Sequence, residues 1–118
     1  MSQISLAEAS DLLQKCFSEG MRLAAFFITR SGARVRLDGF LTGAKAKEGL
    51  FVTTRPLPDA GGDWINVRPF GEGDCDFWYG EKREVPEELR EFASNLGESA
   101  LIIDFLRTGE RFCIFFTP

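Results

Sequence analysis

The sequence predicts an α+β fold: a mainly antiparallel, strongly bent β-sheet or small partly closed barrel of about seven strands, with an N-terminal helix and a second helix before a C-terminal hairpin. Three observations carry this. The turn pattern R-[ST]-G-x-R occurs twice, as Arg30-Ser31-Gly32-Ala33-Arg34 and Arg107-Thr108-Gly109-Glu110-Arg111, each between runs rich in Phe, Ile, Val and Leu. Several runs are apolar on both faces and so need cover on both sides. Two segments carry apolar residues at helical spacing between start and stop signals.

The helix spans 5–19. Ser5 and Glu8 form a capping box, in which Ser5 accepts from the N3 amide and Glu8 accepts from the Ser5 amide. Leu6, Ala9, Leu12, Leu13, Cys16 and Phe17 then form one stripe, and Gly20 supplies the stop.

A strand over 21–30 follows, with Leu23, Ala25 and Phe27 on one face and Ala24, Phe26 and Ile28 on the other. The strand over 34–42 alternates, Val35, Leu37 and Leu41 against Arg34, Arg36 and Asp38. Gly39 and Gly43 offer places to bend or bulge. A loop of two residues at Ser31-Gly32 pairs Ile28 with Val35; a three-residue loop would set Ile28 against Arg34. A two-residue loop at Thr108-Gly109 pairs Phe105 with Phe112, Ile103 with Ile114 and Leu101 with Phe116. Side chains alternate faces, so a slip of one residue misplaces half the apolar set, and the two-residue loop is expected in both hairpins.

Strands over 50–54 and 64–67 end in loops that begin Arg55-Pro56 and Arg68-Pro69, where proline withholds an amide from the ladder. A strand over 75–79 puts Phe77 and Tyr79 on one face and Trp78 on the other. The second helix spans 86–96, with Pro86 at its first position, Leu89, Phe92, Ala93 and Leu96 on its apolar face, and Gly97 as its stop. Glu87, Glu88 and Glu91 face water, and the hairpin over 100–117 completes the fold.

At 118 residues the chain is expected to be one domain, 1–118, with 44% hydrophobic and 27% charged residues typical of a globular protein. No apolar run approaches the roughly 18 residues of a membrane span, and Met1-Ser2-Gln3 lacks the basic start of a signal peptide. A cytoplasmic location with no membrane partner is therefore expected. Cys16, Cys75 and Cys113 are too far apart for a zinc site and odd in number for a disulfide framework. With no histidine, the commonest base and metal ligand is missing. A net charge of −4 argues against a nucleic-acid partner, whose phosphates favour a basic surface.

Asp59, Asp63, Glu72, Asp74 and Asp76 read as loop residues rather than a cation site. Among Asp38, Asp104 and Glu110, Asp104 stands out, because it interrupts an apolar strand; the two-residue loop sets it opposite Cys113 and diagonal to Arg111. No nucleophile–base pair or phosphate loop accompanies it, so neither an enzyme nor a cofactor is expected.

The expected function is a small non-catalytic module that acts by protein contact and self-associates as a homodimer. Trp64, Phe77, Trp78, Tyr79, Phe27, Phe40 and Phe115 are its candidate interface, with burial in the core as the competing reading of the same residues. The alternative is a β-barrel module for a phosphate-bearing small ligand or RNA. There Arg30, Arg34, Arg36, Arg107 and Arg111 supply bidentate anion contacts, and ten of the fourteen basic residues are arginine.

The segment Val35-Arg36-Leu37-Asp38-Gly39-Phe40-Leu41-Thr42-Gly43, with Gly49-Leu50-Phe51-Val52 after it, is similar in rhythm to the early strands of Sm-like and PilZ-like small barrels. The first resemblance implies RNA binding in rings, the second cyclic-dinucleotide binding through an R-x-x-x-R pair. Arg30 and Arg34 match that pair in spacing, but Ala44-Lys45-Ala46-Lys47-Glu48-Gly49 lacks the Asp and Ser of the accompanying motif.

Overall fold

A computed structural model describes residues 1–36, 39–45, 50–56, 65–70, 73–92 and 97–117, with side-chain environments for 1–35, 73–91 and 97–117. The fold is α+β with an antiparallel sheet. In chain order the elements are β1 (Ser2–Ile4), α1 (Leu6–Ser18), β2 (Arg22–Ile28), β3 (Arg34–Arg36), β4 (Gly39–Lys45), β5 (Leu50–Pro56), β6 (Ile65–Phe70), β7 (Cys75–Glu81), the 3-10 segments Lys82–Glu84 and Glu87–Phe92, β8 (Ser99–Phe105) and β9 (Glu110–Phe116).

Six strands lie side by side in the order β1-β7-β8-β9-β2-β3, every pair antiparallel. The start of β2 also pairs with β4, through Arg22 with Phe40 and Leu23 with Gly39, and β5 and β6 follow outward. The strand expected over 34–42 is thus divided between two partners: β3 stays on the end of β2, while β4 runs on to β5. A register shift between Leu41 and Gly43 marks a bulge where glycine relaxes the backbone. Among the described residues no ladder joins β1 to β6, so the sheet is open, and of the two expected forms, bent sheet or partly closed barrel, the barrel does not occur. The count of about seven strands also changes, because β1 forms by pairing with β7 and has no periodicity of its own.

The capping box holds α1 as expected. Ser5 Oγ accepts from the Glu8 amide at 3.1 Å, and Glu8 Oε1 accepts from the Ser5 amide at 3.3 Å. Ala9, Leu13 and Cys16 are buried against Leu23, Ala25, Phe77, Leu101, Ile103, Phe112, Ile114 and Phe116. Phe17, placed in the stripe by its spacing, stands 40% exposed past the edge of this core. The opposite face buries Ala24, Phe26, Ala100, Ile102, Cys113 and Phe115 beneath Val85 and Leu89. The cover on that face is 3-10 rather than α-helical over Glu87–Phe92, with Leu89 N donating to Pro86 O at 2.8 Å, and residues 93–96 lie outside the described residues. The second helix is therefore not confirmed. Among the described residues Val85 and Leu89 cover this face, and the thirteen residues of α1 cover the other.

Both hairpins differ in register from the two-residue expectation. In the first, Phe27 faces Val35 and Ile28 faces Arg34; Thr29 N donates to Ala33 O at 2.8 Å around the three residues Arg30, Ser31 and Gly32. In the second, Phe105 faces Glu110 and Ile103 faces Phe112, around the four residues Leu106, Arg107, Thr108 and Gly109. A shift of two preserves which face each residue occupies, so Ile103, Phe112 and Ile114 remain on the helix side. A shift of one is tolerated in the first hairpin because β2 is apolar on both faces and β3 is a short outer strand.

Candidate functional site

The registers of four strand pairs align one charged row on the face opposite α1. Asp76 faces Asp104, Asp104 faces Arg111, Arg111 faces Ile28, and Ile28 faces Arg34. The 3-10 segment lies over this row because Val85 and Leu89 anchor it in the apolar part of the face, which leaves its glutamates above the arginines. Arg111 Nε donates to Asp104 Oδ1 at 2.6 Å, and its Nη1 lies 3.5 Å from Glu88 Oε1. Arg34 Nη2 meets Glu91 Oε1 at 2.6 Å. Gln3 Nε2 donates to Asp76 Oδ1 at 3.2 Å. Burial tends to lower the pKa of Arg111, but the hydrogen bond and charge of Asp104, with Glu88, outweigh it and raise the pKa above the usual arginine value.

Beside this row is a cleft of about 330 Å³ lined by Met1, Trp78, Glu84, Pro86, Ile102, Asp104 and Arg111. Trp78 of β7, Ile102 and Asp104 of β8 and Arg111 of β9 line its sheet side, and Met1, Glu84 and Pro86 complete the lining. Another hollow of about 330 Å³, more open, lies between α1 and the β1–β7 edge, with Ile4, Leu12 and Tyr79 against Glu8, Asp11 and Lys15.

The pairing of β2 with β9 brings the two R-[ST]-G-x-R turns together at one end of the sheet. Arg30 Cγ lies 3.7 Å from the position a β-carbon would take on Gly109. Arg30 and Arg107 are exposed, and among the described residues neither has an ion pair. Of the five candidate anion contacts, then, Arg34 and Arg111 are engaged by carboxylates. Arg36 faces Phe26 by register, and its side chain lies outside the described residues.

The aromatic candidates separate. Phe77 and Phe115, at 3% and 0% exposure, are core residues and cannot form a surface; they sit in the middle of β7 and β9 with cover on their own side of the sheet. Phe27 is half-buried, with ring centroids 6.4 Å from Phe105 and from Phe112. Tyr79 stacks on Phe116 at 6.3 Å and lines the second hollow. Trp78 lines the cleft. Trp64 and the side chain of Phe40 lie outside the described residues, as do Asp38, Asp59, Asp63 and Glu72.

Asp104 lies opposite Arg111, not Cys113, a direct result of the four-residue loop. Among the described residues no group of three or more His, Cys, Asp or Glu could hold a metal ion. The three cysteines are free and buried. Burial pushes Cys16 up to about 11 and Cys113 up to about 12; Cys75 also reaches about 12, through burial and then the charges of Asp74, Asp76 and Asp104. All three are therefore thiols near neutral pH. Sequence reasoning put Glu88 and Glu91 in water, read Pro86 as the start of a helix, and gave none of these residues, nor Glu84, a role at a site. Their one signal was the placement of glutamates around Leu89, and its meaning depends on a cross-chain row that no local pattern contains.

The chain matches no protein-family model, no curated protein and no solved structure. No helix among the described residues is long and apolar enough to cross a membrane.

Proposed function

We propose that the chain is a small, non-catalytic cytoplasmic module that acts through protein contact and self-associates. The observation that carries this reading is an apolar strip at the turn end. Val35, 41% exposed on the outer strand β3, faces half-buried Phe27, whose ring lies against half-buried Phe105. Among the described residues β3 pairs with β2 alone among the strands. The non-catalytic part draws support from the absence of histidine and from the ion pair that engages Asp104. Native mass spectrometry tests the reading: the wild type is expected to show a dimer that Val35→Asp converts to monomer. A strict monomer at micromolar concentration sinks it.

A second reading, a module for a phosphate-bearing ligand, is favoured by the convergence of Arg30 and Arg107 at the paired turns. Calorimetric titration with nucleotides at low salt should then release heat that Arg30→Ala abolishes; no heat with any nucleotide removes it.

A further inference from the structure

We propose that two copies of the chain meet about a two-fold axis over the strip formed by Val35, Phe27 and Phe105, with Glu110 of each copy paired to Arg30 and Arg107 of the other. This rests on the self-association reading above and adds the symmetry of the contact and the charges that hold it.

The strip carries a carboxylate. Glu110 faces Phe105 across the β8–β9 pair. Alternation along β9 puts it on the same side of the sheet as Phe112, which faces Phe27, which in turn faces Val35. Among the described residues the exposed large apolar side chains are Phe17, Val35 and Leu106, and two of these three lie at this end of the sheet. Leu106, 55% exposed, directly follows Phe105.

The charges at this end are left over. Glu110 is half-buried, Arg30 and Arg107 are exposed, and among the described residues none of the three has an ion pair. Arg34 and Arg111 both face Ile28 and so lie on the other side of the sheet, where Glu91 holds the first and Asp104 and Glu88 the second.

Closing the strip against another surface takes water from Glu110, and a desolvated carboxylate needs a cation or a hydrogen-bond donor. Its own chain supplies no ion pair; a second copy supplies two arginines. Arg30 Cγ lies 3.7 Å from the β-carbon position of Gly109, so the two turns present Arg30 and Arg107 as one cationic pole, with Glu110 at the start of β9 as the other. A purely acidic partner would leave Glu110 unmatched, and a purely basic one would leave the arginines unmatched. A patch that carries both poles is complementary to itself under a two-fold rotation, in which each contact occurs twice.

Native mass spectrometry and sedimentation of the full chain provide the test. The wild-type dimer should weaken about tenfold between about 50 and 500 mM salt, where a purely apolar contact would hold or tighten. At low salt, Glu110→Arg and the double change Arg30→Glu with Arg107→Glu should each weaken the homodimer about tenfold or more, because each leaves the patch with a single sign. Mixed in equal amounts, these two variants should form almost only heterodimer, since every charge then meets its opposite. A heterodimer share no greater than random pairing, charge variants that dimerise as tightly as the wild type, or a dimer insensitive to salt overturns the charge pairing and leaves the Val35 reading standing. A wild type that stays monomeric, or a dimer that Val35→Asp leaves intact, overturns both. The salt series uses the wild type alone and needs no variant to fold.

Discussion

The β2–β3 and β8–β9 hairpins carry the same turn pattern and differ in almost everything else. In β8–β9, seven residue pairs run from Ser99 opposite Phe116 to Phe105 opposite Glu110, and the strands are buried on both sides. In β2–β3 three pairs form, and Arg34 and Val35 are exposed. Glycine enters the left-handed region in both turns, Gly32 at φ 88° and Gly109 at φ 72°, yet one loop holds three residues and the other four. The pattern guarantees a turn. The number of residues in it is chosen by what the strands must bury, so the well-packed hairpin keeps its face assignment and the outer one is free to slip.

If packing separates the hairpins, the largest contrast appears in core truncation. Phe112→Ala, fully buried in β9, should cost about 3–5 kcal/mol in urea unfolding. Val35→Ala, on β3, should stay within about 0.5 kcal/mol when unfolding is followed on protein dilute enough to be monomeric. Comparable losses there would mean that β3 is buried within the single chain.

Thiol labelling sharpens the same contrast. Cys113 should react with a disulfide reagent at least about a hundredfold more slowly than an introduced cysteine in Val35→Cys, because its reaction needs opening of the sheet. The raised thiol pKa also has a sign. The folded value lies near 12 against a reference of 9.0, so its contribution is intact below pH 9 and is lost as the pH rises from there toward 12. Chemical denaturation across that window should show stability falling, and falling less in Cys113→Ala.

The ion pairs of the two hairpins should rank in the same order. Asp104→Ala leaves the part-buried Arg111 without its 2.6 Å partner and should cost about 1–3 kcal/mol. Arg34→Ala removes a pair whose side chains are 50% and 55% exposed and should cost at most about 0.5 kcal/mol. The smallest difference is expected at the glycines. Gly32→Ala and Gly109→Ala should each cost about 1 kcal/mol from the positive φ, since no atom crowds an added β-carbon closer than 3.7 Å. A markedly larger effect at Gly109 would show that the contact with Arg30 tightens the paired turns.

The sequence by itself determined the α+β class, the capped first helix, the antiparallel hairpins and the two-faced burial of their strands. Each of these depends on residues within one or two turns of one another, where spacing and cap chemistry act directly. Tertiary structure decided the loop lengths, the split of 34–42 between β3 and β4, the open sheet and the 3-10 cover. It also decided the partner of Asp104, and with it the cleft. Alternation leaves both registers open: the slip of one in β2–β3 exchanges one apolar face of β2 for the other, and the slip of two that sets Asp104 opposite Arg111 changes no face at all. Only the depth of the two cores, and the anchoring of Val85 and Leu89 across the sheet from α1, select the register that places Asp104, Arg111 and Trp78 together.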